Sequence, residues 1–110
     1  MPITIDKMIK LSVNDIENGK HDFGPKLKGA DLLTGTPTMV DVDSTGTINI
    51  TNVGRNASSY TDEDTGATVE IDEAVEYTVE PTAAGIYTLQ IGVATVGGEN
   101  YVRNLIVEAI

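Results

Sequence analysis

Residues 84–91 read Ala84-Gly85-Ile86-Tyr87-Thr88-Leu89-Gln90-Ile91, and this stretch decides the fold. From Tyr87 to Val93 every second residue is apolar, which predicts a strand over 86–94 with one buried face. The preceding segment, 81–85, begins with a proline and ends with a glycine, the residues that most often form turns. The pattern therefore predicts a core strand that starts directly after a tight corner.

Two further strands are predicted on either side of this one. Upstream, Val75, Tyr77 and Val79 alternate with polar residues, as in a half-buried strand. Downstream, 97–100 has the Gly-rich composition of a hairpin turn, and 101–110 follows as a last strand. That strand contains Leu105-Ile106-Val107, so apolar side chains lie on both of its faces, and either both are covered in the fold or one meets a partner.

The middle of the chain predicts a hairpin. The segments 38–42 and 47–53 both alternate, and Asp43-Ser44-Thr45-Gly46 between them has turn composition. The expected core residues are Met39 or Val40 on one strand and Ile48 or Ile50 on the other. After a polar loop over 54–64, a short strand over 67–71 is predicted with Val69 and Ile71 inward.

The first third carries weaker patterns. Ile3-Thr4-Ile5 and 9–13 alternate, and His21-Asp22-Phe23 has the composition of an edge strand. Ile16-Glu17-Asn18-Gly19 has the composition of a turn. Prolines and glycines in this region argue against a long helix.

About six to eight strands at roughly 10-residue spacing are typical of a β-sandwich. We therefore predict an all-β protein with an immunoglobulin-like antiparallel β-sandwich. Residues 36–110 are expected to form the sandwich core. Residues 1–35 are expected to form an N-terminal arm with the first strands, partly extended.

Composition excludes several classes of function. The chain has 110 residues, no cysteine and a net charge of −10, from 17 acidic and 7 basic residues. Without cysteine there are no disulfides, thiolate metal sites or cysteine nucleophiles. So acidic a surface repels nucleic acid and anionic membranes, and we expect neither as a partner. No stretch approaches the ~20 apolar residues of a membrane helix, and the N-terminus lacks a secretion signal, so we expect a protein made inside a cell.

The pair Gly85 and Tyr87 resembles the Gly-x-Tyr at the start of strand F in immunoglobulin-like domains. There the tyrosine hydroxyl bonds back to the preceding corner, and a cysteine lies two positions later. Leu89 stands at that cysteine position, so the resemblance implies a core residue without the bridge.

A wider pattern is similar to a group of small virion proteins of tailed phages, the head–tail or fiber–tail adaptors and capsid accessory proteins. It runs through 74–79, 84–91, 96–99 and 104–107, with 48–52 as a further match, and covers about the last 65 residues. His21 to Leu27 matches the group's early aromatic strand more loosely, and the acidic insertion at 60–66 departs from it.

The resemblance implies a virion structural protein that acts by protein–protein contacts. It would decorate or cement the capsid, or join neck, tail or fiber components, and be located in the virion after synthesis in the host cytoplasm. Its partners would be other virion proteins, and self-association in a symmetric array is expected. Candidate interfaces are Met1 to Met8, as an added strand, and the doubly apolar last strand.

Two acidic segments are candidate metal sites. Asp41 and Asp43 fit the start of a calcium loop, but Thr45 and Asn52 stand where stronger ligands belong. Asp62 and Asp64 lie in the densest acidic run, which is equally typical of a solvated loop. We predict no metal and no cofactor, with these four aspartates as the only candidates.

His21 is the single histidine, and a catalytic triad would need it beside a serine and oriented by a carboxylate. Asp22 follows it directly, but neighbours on a strand point to opposite faces. We therefore expect no catalytic residue and no enzyme. The alternative function is a carbohydrate- or cell-surface-binding module of a secreted adhesin, which an exposed aromatic patch or a calcium ion between Asp41 and Asp43 would favour.

Overall fold

The computed structural model describes residues 6–27 and 29–110, and in this part the chain is all-β. One turn of 3-10 helix, Gly24–Lys26, is the only helical segment there. The strands are β1 (Lys7–Leu11), β2 (Glu17–Asp22), β3 (Leu33–Asp41), β4 (Ile48–Arg55), β5 (Tyr60–Thr61), β6 (Thr68–Val69), β7 (Ala74–Pro81), β8 (Gly85–Thr95) and β9 (Asn100–Ala109). The predicted fold class is thereby confirmed, while Ile3-Thr4-Ile5 lies outside the described residues.

Two sheets form the sandwich. One has the strand order β1-β9-β8-β3 and the other β2-β7-β4, while β5 and β6 form a separate small hairpin. Strands of immunoglobulin-like domains are lettered A to G in chain order. If β2, β3, β4, β7, β8 and β9 are taken as strands B to G, one sheet contains the order G-F-C and the other has the order B-E-D, as in those domains. One pair departs from an antiparallel sandwich, because β1 runs parallel to β9, with Lys7 opposite Leu105.

The core lies between the two sheets and is built by the inward positions of their central strands. On β8 the buried side chains alternate as the sequence predicts. Leu89 is fully buried at the position that a cysteine occupies in disulfide-bridged immunoglobulin-like domains. The largest fully buried apolar residues are Tyr77, Phe23, Leu33, Leu89, Ile91, Leu105, Val69, Val75, Val79 and Val107. Burial of these side chains stabilises the sandwich by the hydrophobic effect.

The corner before β8 is closed by Tyr87. Its hydroxyl donates to the carbonyl of Ala83 at 2.6 Å and lies 2.9 Å from the hydroxyl of Thr47. Gly85 has φ 153°, a conformation that residues with a Cβ rarely adopt. The Gly-x-Tyr interpretation of this corner is confirmed.

The predicted hairpin of 38–42 with 47–53 is wrong. Strand β3 pairs with β8, whereas β4 pairs with β7 in the opposite sheet, so the turn at 43–46 carries the chain from one sheet to the other. Of the alternatives expected in the core, Met39 and Ile48 are buried, while Val40 faces solvent. Turn composition is the same for a hairpin and for such a crossover, because both need only a change of direction.

The predicted turn at 16–19 is also wrong, because Glu17, Asn18 and Gly19 belong to β2. Gly19 pairs with Tyr77, and a Cβ at Gly19 would overlap the ring of that tyrosine. The glycine is therefore explained by the ring packed on it, since no other residue leaves room for the ring.

Other elements differ in extent. Strand β4 continues to Arg55, inside the predicted loop, and β5 also lies within it. Val69 is buried as expected, but Ile71 is half exposed because β6 ends before it. His21 lies on β2, which is an edge strand as expected. Strands β1 and β2 are paired within the two sheets, and position 35 falls inside β3.

Candidate functional site

Asp41 caps the turn between β3 and β4. Its Oδ2 accepts hydrogen bonds from the amide and the hydroxyl of Thr45, at 2.9 and 2.6 Å, and its Oδ1 accepts from the amide of Asp43 at 3.2 Å. Burial raises the pKa of Asp41, but the bonds from Thr45 and Asp43 outweigh it and hold the pKa below its ordinary value. The carboxylate thus serves the turn itself.

Asp62 does the same in the hairpin between β5 and β6. Its Oδ1 accepts from the amides of Asp64 and Thr65, at 2.8 and 3.1 Å, and these bonds lower the pKa of Asp62. Asp62 and Asp64 share this turn, as the sequence implied. Across residues 6–27 and 29–110, no three acidic or histidine side chains converge as metal ligands would.

His21 is half-buried between the sheets. Its ring packs edge-on against Phe23, with 5.0 Å between the ring centroids. Burial lowers the pKa of His21, Arg103 and Lys7 lower it further, and Asp6 opposes them. Among the described residues, no hydrogen bond joins this imidazole to a serine or a carboxylate, as a catalytic triad would require.

Asn56 is a buried polar residue that sequence reasoning missed. Its side-chain amide donates to the carbonyls of Ser58 and Glu70, at 3.1 and 2.8 Å, and its Oδ1 accepts from the amides of Glu73 and Ala74, at 3.2 and 2.9 Å. The residue is fully buried, so the Asn-x-Ser sequon at this position is not accessible to a glycan. Its function is to fix the loops around the β5–β6 hairpin.

A cleft lies between β2 and the β5–β6 hairpin. It has a volume of about 460 Å³ and is lined by Lys7, Lys20 and Tyr60 together with carboxylates of Glu17, Asp62, Glu63 and Asp64. Nζ of Lys20 lies 4.3 Å from the Tyr60 ring centroid, and burial raises the pKa of Tyr60 to about 12. The cleft is open to solvent and is lined by both cationic and anionic side chains, so it does not favour one class of ligand.

The outward face of the four-stranded sheet has a different character. We term it the neutral face; its members are Met8, Lys10, Thr38, Val40, Ile86, Thr88, Gln90, Gly92, Ala94, Val102, Asn104, Ile106 and Glu108, with Val42 at its border. Its charged side chains are Lys10 and Glu108, which are opposite each other in the β1–β9 register. The face therefore has no net charge on a chain of net charge −10.

Large apolar side chains on the neutral face are exposed to solvent. Met8 is 54% exposed, Val40 51%, Ile86 69% and Val102 49%. At the centre of the face, the amide of Gln90 donates to that of Asn104 at 3.2 Å, so the polar groups there bond to each other. A partly apolar sheet surface without net charge is typical of protein–protein contact.

The last strand contributes only part of this surface. Leu105 and Val107 are fully buried in the core, while Ile106 faces outward beside Met8 and is half-buried. Val102 is the other apolar member on β9, and the rest come from β1, β3 and β8, which only the sheet topology brings together. Of the N-terminal candidate Met1 to Met8, positions 1–5 lie outside the described residues. The amide of Asp6 donates to the carbonyl of Asn104, and Lys7 and Met8 belong to β1.

Aromatic side chains do not form an exposed patch. Tyr77, Tyr87 and Phe23 are buried, and Tyr60 and Tyr101 are half-buried. The feature that would favour carbohydrate binding is therefore not found in residues 6–27 and 29–110.

Comparison with known proteins gives little beyond this geometry. No protein-family model matches the chain, and no curated protein matches it. Among solved structures, a 2,6-sialyltransferase from Photobacterium sp. JT-ISH-224, crystallised with CMP and lactose, aligns with a TM-score of 0.43 at 13% identity. The alignment covers 97% of this chain and 18% of the sialyltransferase chain.

The described residues contain no helix with the length and hydropathy that a membrane crossing requires.

Proposed function

We propose that this protein is a non-enzymatic structural protein of a tailed-phage virion, which decorates or cements the capsid or joins neck, tail or fiber components. The observation that carries the proposal is the neutral face, an uncharged and partly apolar sheet surface on a strongly acidic domain. It would bind other virion proteins by surface complementarity. The resemblance of the last 65 residues to phage adaptor and accessory proteins supports the choice of a virion.

The side-chain arrangements elsewhere support a contact function over chemistry. The carboxylates of Asp41 and Asp62 accept hydrogen bonds from their own turns, and His21 packs against Phe23. None of these groups is positioned to act as a general acid, a general base or a nucleophile.

Purified capsids, tails and whole particles of a phage that encodes this chain provide the test. Tagged protein should be retained by one of these preparations. A double variant, Val40→Asp with Val102→Asp, should lose retention by about tenfold or more because it charges the neutral face. The matched control, Ile71→Asp with Ile16→Asp, adds the same charge at exposed apolar positions outside the neutral face and should be retained like the wild type. Failure of the wild type to bind any preparation would overturn the proposal.

A further inference from the structure

We infer that the neutral face is occupied by a second copy of this chain, so that two domains pack with their four-stranded sheets face to face. This inference rests on the proposed function in that it names the partner of the same surface. It is carried by the charge, the area and the shape of the face.

The charge of the face favours an identical partner. Each copy carries a net charge of −10, so two copies repel wherever their acidic surfaces approach. At the neutral face Lys10 and Glu108 cancel, and two copies meet there with the least repulsion. A basic partner would instead be drawn to acidic surfaces such as the one around Asp62 and Asp64.

The area of the face fits a weak but specific dimer. The four strands have 5 to 11 residues each, and at about 3.3 Å per residue and about 4.8 Å between strands they span about 550 Å². Two such faces together present about 1,100 Å², which is close to the lower end of the range for specific interfaces. We therefore expect association that depends on concentration over roughly 10 µM to 1 mM.

The shape of the face permits close approach of another sheet. Small side chains lie along its middle, at Thr88, Gly92 and Ala94, and they are flanked by larger apolar ones such as Ile86 and Val102. Stacked sheets lie about 10 Å apart, and their outward side chains interdigitate at that spacing. The paired amides of Gln90 and Asn104 enter such an interface already hydrogen-bonded to each other.

Sedimentation velocity on the full chain tests the inference. The weight-average mass should rise with concentration from 11.7 kDa towards twice that value. Raising NaCl from about 20 mM to about 500 mM should strengthen association, because it screens the repulsion between two acidic copies. The double variant Val40→Asp with Val102→Asp should associate about tenfold or more weakly, while Ile71→Asp with Ile16→Asp should match the wild type.

Each outcome decides between the two proposals. A chain that stays monomeric to 1 mM at both salt concentrations would overturn the second-copy inference, as would a face variant that associates like the wild type. If that monomer is nevertheless retained by phage particles, the proposed function stands and the face meets a different virion protein. If the chain dimerises through the face but no particle retains it, the inference stands and the proposed function fails. Circular dichroism of the variants checks that each is folded.

Discussion

Replacing Tyr87 by phenylalanine removes one oxygen from the corner that begins β8. The tyrosine is 2% exposed, and its hydroxyl lies 2.6 Å from the carbonyl oxygen of Ala83. It also lies 2.9 Å from the hydroxyl of Thr47 and 3.2 Å from that residue's carbonyl. Because a hydroxyl has one hydrogen, it donates to Ala83, and the hydroxyl of Thr47 can donate to it.

The expected cost follows from these bonds. A net loss of about 1 kcal/mol for each of the two bonds, with an added penalty for the carbonyl left without its partner, gives about 2 to 3 kcal/mol. For a domain of this size such a loss lowers the melting temperature by roughly 10 °C. Urea unfolding at neutral pH, followed by circular dichroism, measures the free energy of unfolding directly.

Tyr77 supplies the matched control on the neighbouring sheet. Its hydroxyl is buried without a hydrogen-bond partner among the described residues, and its residue is 1% exposed. Removing that oxygen relieves the penalty of a buried unpaired group, so Tyr77→Phe should leave the stability unchanged or raise it by about 1 kcal/mol. Equal losses in Tyr87→Phe and Tyr77→Phe would refute the reasoning, because the two changes delete the same atom and differ only in its partners.

Three further perturbations test other parts of the structure. Asn56→Ala removes four buried hydrogen bonds and should cost about 3 kcal/mol or more in urea unfolding; a loss below about 1 kcal/mol would contradict the described network. Gly19→Ala should cost about 1 to 3 kcal/mol through its clash with Tyr77, and a double-mutant cycle with Tyr77→Leu should recover most of that cost; an unchanged cost in the Leu background would exclude this clash as the cause. Folding lowers the pKa of His21 below its ordinary value of 6.5, so the native state binds a proton there less readily than the unfolded chain does. The free energy of unfolding should therefore fall as the pH drops from 7.5 to 5.5. His21→Gln should reduce this decline, and identical pH dependence in the two proteins would show that His21 does not titrate as described.

The corner and the last three strands could be predicted from sequence because their signals are local. Gly85 and Tyr87 are two residues apart, and Ala83, whose carbonyl accepts from the Tyr87 hydroxyl, lies four residues before that tyrosine. Thr47, the partner 40 residues away in sequence, cannot be identified from the local pattern. The alternation on β8 likewise needs no knowledge of its neighbours. Local pattern and tertiary structure agree there, as they do in most well-specified folds.

The errors lie where a distant partner decides the structure. The segment 43–46 turns the chain in either a hairpin or a crossover, and only the pairing of β3 with β8 and of β4 with β7 distinguishes them. Gly19 has the composition of a turn but lies in a strand, because the ring of Tyr77 occupies the space of its side chain. Neither partner can be identified from local periodicity.

The candidate site was only partly visible in the sequence. The run Leu105-Ile106-Val107 predicts a strand with apolar side chains on both faces, either both covered in the fold or one meeting a partner, and Ile106 belongs to the neutral face. The other exposed members, such as Val40 and Ile86, lie far apart in the chain, and only the β1-β9-β8-β3 order places them on one surface. The absence of net charge on that surface is likewise a property of the fold and not of any segment.

The most direct test of the neutral face as the contact surface is methyl NMR of the wild-type chain at increasing concentration, from about 20 µM to 1 mM. The second-copy arrangement predicts that methyl signals of Val40, Ile86 and Val102 shift together with concentration. Signals of Ile71 and Ile16, which are similarly exposed outside the neutral face, should stay fixed. Fixed signals at all five positions, or shifts confined to Ile71 and Ile16, would contradict it.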